Sequence, residues 1–204
     1  MKNFGLIVIG AHIGVHILDD IEEYKGHEIL LIEPVPHNLK LLRKNVQDYK
    51  SIKIEPVTIG KKNKIKNFYF VKEDSIPKLK KHWASGIGSF DKQHILNHKT
   101  KRFNVSNEDI ETMEIQCLTF MEVVDKYSIK MIDKLLIDVE GSEFEILNSI
   151  DFDKIEINKI IFEFKHFDGT FKEGPKLKLI KEKLINSNYM LREIDKENIL
   201  AEKK

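Results

Sequence analysis

KLLIDVEGSEFEIL, residues 134–147, is the stretch on which the reading of the whole chain turns. Leu135, Leu136 and Ile137 form the short apolar run that a strand buried on both faces requires, and the run stops at an acid, Asp138. Asp138 and Glu140 are two residues apart, so an extended backbone would point both to the same side before Gly141 lets the chain turn. Ser142 and Glu145 fit a capping box, and Phe144, Ile146 and Leu147 begin an apolar helical face. The pattern reads as strand, acidic rim, helix. In open α/β sheets ligands bind outside the carboxyl ends of the strands, where this order puts its carboxylates.

Upstream the same order occurs twice. Phe4 to Ile9 reads as a buried strand, followed by Gly10-Ala11-His12-Ile13-Gly14 and a helical stretch to about Tyr24. The two glycines would let the backbone turn and approach a ligand, with the following helix pointing its amide end at the same place. Their G-x-x-x-G spacing is not the G-x-G-x-x-G dinucleotide fingerprint, which weakens a nicotinamide reading. Glu28 to Ile32 gives a second strand that ends at Glu33 and is closed by Pro34. An acid some 20 residues after the first glycine turn matches the carboxylate that holds ribose hydroxyls in nucleoside-binding α/β folds, with a solvated strand-end charge as the competing reading. Pro36 to Gln47 follows as an amphipathic helix and Ile52 to Ile59 as a third strand.

The 204 residues, 41% of them hydrophobic, suffice for one well-buried core, so a single domain spanning 1–204 is expected. A net charge of +1 argues against a wholesale electrostatic partner such as duplex DNA. The lone cysteine, Cys117, excludes an internal disulfide and a multi-cysteine zinc site, and its apolar surroundings make it a small core residue. No apolar run is long enough to cross a bilayer. His12 and His16 interrupt the N-terminal apolar run and no small-x-small cleavage site follows it, so a cytoplasmic protein is expected.

Between Lys61 and Arg102 twelve Lys and Arg stand against three acids. With a strand at Asn67 to Val71 and a small-residue turn from Trp83 to Phe90, this basic region, about 61–115, reads as an insertion that forms a lid or substrate loop. Attraction of an anionic acceptor is the functional reading of its lysines and a solvated surface the plainer one. Glu114 to Leu118 is expected as an edge strand and Thr119 to Tyr127 as a helix. Lys159 to Phe164 is a further strand with His166 just past its end, and a last helix begins at Pro175. Tyr189 to Ile194 and Asn198 to Ala201 could close the sheet as an antiparallel hairpin. Alternating strands and helices give an α/β fold, a mostly parallel sheet with helices on both faces.

The glycine turn, Glu33-Pro34, the Trp83 to Phe90 turn and Ile137-Asp138-Val139-Glu140-Gly141-Ser142-Glu143 occur in the order seen in the FkbM family of methyltransferases, which the chain resembles over nearly its whole length. The resemblance implies a Rossmann-like class I methyltransferase fold: a seven-stranded sheet with a reversed terminal strand, S-adenosylmethionine as cofactor, and methylation of a hydroxyl on a sugar, glycan or related small metabolite. By resemblance Gly10, Ala11, His12 and Gly14 would lie beside the methionine part of the cofactor, Glu33 would grip its ribose, and Asp138 would sit near the sulfonium. Two positions depart from the family pattern, which usually has an acid where this chain has Val8 and an asparagine where it has His12. Val8 cannot hold the cofactor's ammonium. Asp138 or an ordered water would have to compensate, or affinity is low, or the protein is a degenerate binding module that no longer catalyses.

Methyl transfer to oxygen needs an aligned hydroxyl, exclusion of water and a base that takes the hydroxyl proton. Asp138 and Glu140 at one strand end and His166 at the next could converge on that hydroxyl, with His166 or Asp138 as base. Glu143 is read equally well as a complement to the helix N-terminus. No metal ligand is assigned in this principal reading; in a competing one Asp138, Glu140 and His166 hold a divalent ion that orients the acceptor. The acceptor's identity and the oligomeric state are not legible in these residues.

Overall fold

In the computed structural model, residues 2–98, 103–169 and 173–204 are described. The N-terminal apolar run is strand β1 (Lys2–Ile9), which lies in the interior of the sheet, and it is followed by β2 (Glu28–Ile32) and β3 (Ile52–Glu55), all parallel. Next come β4 (Thr58–Ile59), β5 (Lys64–Val71), β6 (Gly88–Ser89) and β7 (Ile110–Leu118), then β8 (Ile129–Ile137) and β9 (Glu156–Glu163), and last the hairpin β10 (Tyr189–Glu193) and β11 (Asn198–Lys203). The seven-stranded sheet has the order β10-β11-β9-β8-β1-β2-β3, and a smaller sheet has the order β4-β7-β5-β6. The reversed strand is the last in the chain but not at the edge: β11 inserts antiparallel between β9 and β10.

The helices are α1 (Leu18–Glu23), α2 (Pro36–Asn45), α3 (Ile76–Leu79), α4 (Lys92–Asn97), α5 (Phe120–Tyr127), α6 (Glu143–Ser149) and α7 (Pro175–Asn186). Alternation along β1 sorts them onto two faces, because successive side chains of a strand point to opposite sides. Leu6 and Val8 pack with Ile21 of α1 and Leu42 of α2. Ile7 and Ile9 face the other way, into the larger cluster that holds Phe120 and Val123 of α5, Ile146 of α6 and Leu177 and Ile180 of α7. The fold is therefore a mostly parallel α/β sheet with helices on both faces. Cys117 is fully buried in β7.

Several local expectations are corrected. The stretch from Ile52 to Ile59 is not one strand: β3 joins the large sheet, β4 the small one, and Pro56, which has no amide hydrogen for a ladder, stands at the crossing. The Glu114 to Leu118 segment is part of a nine-residue strand in the interior of the small sheet, between β4 and β5, not an edge. Ser142 makes no capping bond, since its backbone (φ −108°, ψ 2°) is not the extended one from which a side chain reaches the N3 amide. Glu143 takes over, accepting from the amides of Val139 (2.9 Å) and Gly141 (3.1 Å). α3 and α4 had no sequence signal strong enough to place them. The end of the basic segment, 99–102, lies outside the described residues.

Leu135 is fully buried at the middle of β8, between β1 and β9. Leu135→Ala should lower unfolding stability by about 2–5 kcal/mol, the cost of the lost transfer energy plus the cavity left behind, measured by urea denaturation.

Candidate active site

Gly10 fixes where the site lies. Its φ is +90°, and a β-carbon added there would come 1.7 Å from the carbonyl oxygen of Asp138, so only glycine lets the end of β1 cross the end of β8 at this distance. The Asp138 amide donates to the Ile9 carbonyl (3.0 Å), and the Gly10 and Ala11 amides both donate to Ile32 (3.0 Å each). The carboxyl ends of β2, β1 and β8 are thereby drawn to one point. Above them opens a cleft, lined on one flank by Glu33 and on the other by Asp138, with Gly10 and His12 between.

The small sheet supplies the opposite wall. Phe68 of β5, Gly86, Gly88 and Phe90 face the cleft across from Ile9 and Ile32. The ring of Phe90 stacks edge-on against Phe68 (5.5 Å) and carries the Lys66 ammonium over its face at 3.7 Å. His12 ties the two walls together. Its amide donates to Glu33 Oε2 (2.9 Å) and its Nε2 lies 2.6 Å from Ser85 Oγ in the insertion.

Glu33 is 4% exposed, and burial pushes its carboxyl up to about 7 even though Val35, Asn38 and His12 all donate to it. Oε1 accepts from the Val35 amide (2.9 Å) and Asn38 Nδ2 (3.2 Å), whereas Oε2 accepts only from His12 among the described residues. A carboxylate oxygen has room for two donors, so Oε2 can take one more at the cleft wall. Asn38 was not singled out from the sequence; buried on the first turn of α2, it also donates to the Ser85 carbonyl (2.8 Å) and so fixes both Glu33 and the insertion. The signal available was an asparagine five residues past the acid, where a helix's first turn folds back over it.

Asp138 and Glu140 do not project side by side. Glu140 adopts a left-handed backbone (φ +53°), which sends its side chain into a different group. Asp138 clusters with Glu143 and Glu163, ligand-type oxygens all within 4.8 Å of one another. Burial, then the Glu140 charge, pushes Asp138 up to about 6; burial pushes Glu143 up to about 7; burial and the neighbouring acids push Glu163 strongly up, against the pull of Lys165. Glu140 instead faces His94, His98 and His166, its Oε2 at 3.6, 3.5 and 3.7 Å from their Nε2 atoms. Burial lowers His98 and His166 below the usual imidazole value, although the Glu140 charge opposes it.

Of the residues singled out from sequence, then, Gly10, His12, Glu33 and Asp138 line the cleft. Ala11 is fully buried beneath it. Gly14 (φ +80°) packs against α2, where a β-carbon would strike Leu42 at 2.6 Å, so its glycine answers to helix packing. Glu140 and His166 meet each other beside the cleft, not in its lining. His94 and His98 were missed, because one turn of helix inside a basic, low-periodicity stretch gave nothing to place them by. Val8 is 2% exposed among apolar neighbours and borders a second opening, on the far side of Gly10 from Glu33, together with His16, Asp20 and again Asp138.

The family model for the methyltransferase FkbM domain matches residues 9–196. Among solved structures, a methyltransferase FkbM from Methylobacillus flagellatus is similar with a TM-score of 0.53 at 16% identity, the match covering 98% of this chain and 43% of that one. The Methanococcus jannaschii fibrillarin pre-rRNA processing protein is similar with a TM-score of 0.50 at 12% identity, covering 100% of this chain and 68% of that one. The chain thus spans less than half the length of the Methylobacillus protein, and at these identities the likeness to either is one of fold. No curated protein matches the sequence.

The Glu33 carboxyl gives a stability test. Its folded value, about 7, lies above the ordinary 4.5, so the folded state binds this proton more tightly; the resulting stabilisation is complete below 4.5 and lost as pH rises through 7. The neighbours facing Glu33 are the His12 and Val35 amides, Asn38 and, through His12, Ser85. Urea unfolding between pH 4.5 and 8 should show wild type losing stability relative to Glu33→Gln over that window; parallel curves would contradict the assignment.

Proposed function

Since the chain belongs to the FkbM methyltransferase domain family, we propose that it is an S-adenosylmethionine-dependent O-methyltransferase acting on a hydroxyl of a sugar, glycan or related small metabolite. The observation that carries this reading is the pairing of Glu33 and Asp138 on opposite flanks of one cleft at the ends of β2 and β8, with the glycine turn between them.

The residues present fit the cofactor. Glu33 Oε2 has an unused acceptor position for a ribose hydroxyl, and Ile32, Phe68 and Phe90 offer apolar surface for an adenine ring. Gly10 and His12 border the space for the methionine part. When bound, the cofactor supplies an electrophilic methyl on a cationic sulfur. The chain's own contribution is to hold the acceptor oxygen in line, to keep water out beneath the insertion, and to take the hydroxyl proton on a carboxylate of Asp138. Asp138 suits that role by position, since it lines the cleft, whereas His166 and Glu140, the other two candidates, turn toward each other and are better read as support beside it.

The insertion serves as a lid or acceptor loop in this proposal, and Lys66 over Phe90 at the cleft rim favours an acceptor that carries negative charge. No helix among the described residues is long and apolar enough to cross a membrane. A cytoplasmic location is part of the proposal.

A second reading, a methyltransferase-fold module that binds without turnover, is favoured by Val8. Where the family pattern has an acid, this chain buries an aliphatic side chain, which cannot hold an ammonium group. Calorimetric titration separates the readings: S-adenosylmethionine and S-adenosylhomocysteine should bind and NAD should not, and failure of the first two removes the enzyme reading. With binding established, mass spectrometry of a host glycan or metabolite extract incubated with enzyme and labelled cofactor should reveal the methylated product. Asp138→Asn should then cut turnover by about 10²–10⁴ while S-adenosylhomocysteine still binds. An anionic acceptor would make KM climb steeply with added salt, whereas a flat dependence removes charge attraction from the proposal.

A further inference from the structure

Four side chains that lie outside the lining of the cleft meet on one side of it. His94 projects from α4 and His98 follows at its C-terminus, four residues on and so on the same helical face. Glu140 comes from the turn after β8, and His166 from the loop after β9. The Nε2 atoms of His94 and His98 are 3.2 Å apart, Glu140 Oε2 is 3.5–3.7 Å from all three Nε2 atoms, and the four atoms lie within 4.8 Å of one another.

His94 and His98 lie within hydrogen-bond reach of each other, but the distances from Glu140 to the three rings are too long for hydrogen bonds. Charge-assisted N–H···O bonds run at about 2.7–2.9 Å, and neither Glu140 Oε2 nor His166 Nε2, both buried, has a hydrogen-bond partner among the described residues. Two buried acceptor or donor atoms left unpaired toward a common centre are costly unless something completes them. A tetrahedron built on zinc bonds of 2.0–2.1 Å has edges of about 3.3–3.4 Å, close to the 3.2 Å between His94 and His98 and the 3.5–3.7 Å from Glu140 to the three rings. The left-handed backbone of Glu140 is what brings its oxygen to the fourth corner. Lys165, whose charge reaches His98 and His166, is turned to acids, Glu163 at 3.8 Å and Glu197 at 3.4 Å. Asp138 stands in the adjoining acidic group and adds negative potential.

We propose that His94, His98, His166 and Glu140 form a binding site for one divalent transition-metal ion of the zinc class, which fastens the insertion to the carboxyl edge of the large sheet. Three imidazoles and a single carboxylate suit zinc and disfavour magnesium or calcium, which take mostly oxygen ligands. The ligands come from three separate segments, one in the insertion and two in the loops after β8 and β9, so the ion would cross-link wall and floor next to Asp138. Filling all four corners with protein atoms makes the site a closed, structural one. The site does not depend on what the cleft binds.

The test uses the whole chain stripped with a chelator. Zinc chloride titrated by calorimetry should bind at one ion per chain and raise the melting temperature of the protein. Cobalt chloride should give the intense visible absorption of a tetrahedral N/O site. His98→Gln and Glu140→Gln should each weaken zinc binding by roughly a hundredfold or more, by analogy with the losses seen when even outer-shell partners are removed. Circular dichroism and metal-free urea unfolding establish that the variants are folded, and His94→Gln, on the short surface helix, provides an independent ligand deletion. Absence of stoichiometric binding to the wild type, a weak octahedral cobalt spectrum, or folded variants that bind zinc as the wild type does would each overturn the proposal. Metal binding is read without any methyl transfer, so its failure and a failure of the methyltransferase reading are separate results.

Discussion

The contact on which the site depends is the crossing of Gly10 over the Asp138 carbonyl. Parallel strands in an α/β sheet end at a common edge, but a cleft forms there only if the chain leaves neighbouring strands in different directions without filling the gap. Here the gap is kept open because residue 10 has no side chain and a positive φ, while the amides of Gly10, Ala11 and Asp138 are all satisfied by carbonyls of β1 and β2. Backbone pairing has thus replaced side-chain filling at the sheet edge, and the carboxylates of Glu33 and Asp138 flank the opening.

Burying those carboxylates is unfavourable, and the structure shows how the cost is contained. Glu33 loses its water to Val35, Pro34 and the insertion, which raises its proton affinity, yet three N–H donors hold it in one orientation. Glu143 is more buried still and is satisfied by the amides of the turn that precedes it. The two acids therefore play different parts: Glu143 completes the turn between β8 and α6, and Glu33 keeps an acceptor position facing open space. Asn38, His12 and Ser85 form the link through which the insertion is registered to the glycine turn.

The turn after β8 divides two chemistries within three residues. Asp138 belongs to the cleft and to a group of acids whose mutual repulsion and burial favour protonation. Glu140, with its backbone reversed, belongs to a histidine cluster and is held below its ordinary value, since the surrounding rings outweigh its burial. Insertion, glycine turn and strand-end loops are thus coupled at two places, through Glu33 with Asn38 and Ser85 on one flank and through Glu140 with the histidines on the other.

Periodicity in the sequence determined the class of fold. The apolar runs of β1, β2, β8 and β9, the helical spacing in α5 and α7, and the hairpin at the end are local patterns, and each is found where burial of a repeated face demands it. Gly10, Glu33 and Asp138 were legible for the same reason: each interrupts an apolar strand at its carboxyl end. The expected convergence of Asp138 and Glu140 was not realised, because a strand's alternation stops when one residue turns left-handed, and nothing in the residue type foretells that. Pro56 splits a strand between two sheets, β7 lies inside the small sheet, and a single turn at α4 brings His94 and His98 against His166, more than sixty positions along the chain. Those outcomes rest on contacts between distant segments, and only tertiary packing, which sets which loop closes over which strand end, could decide them.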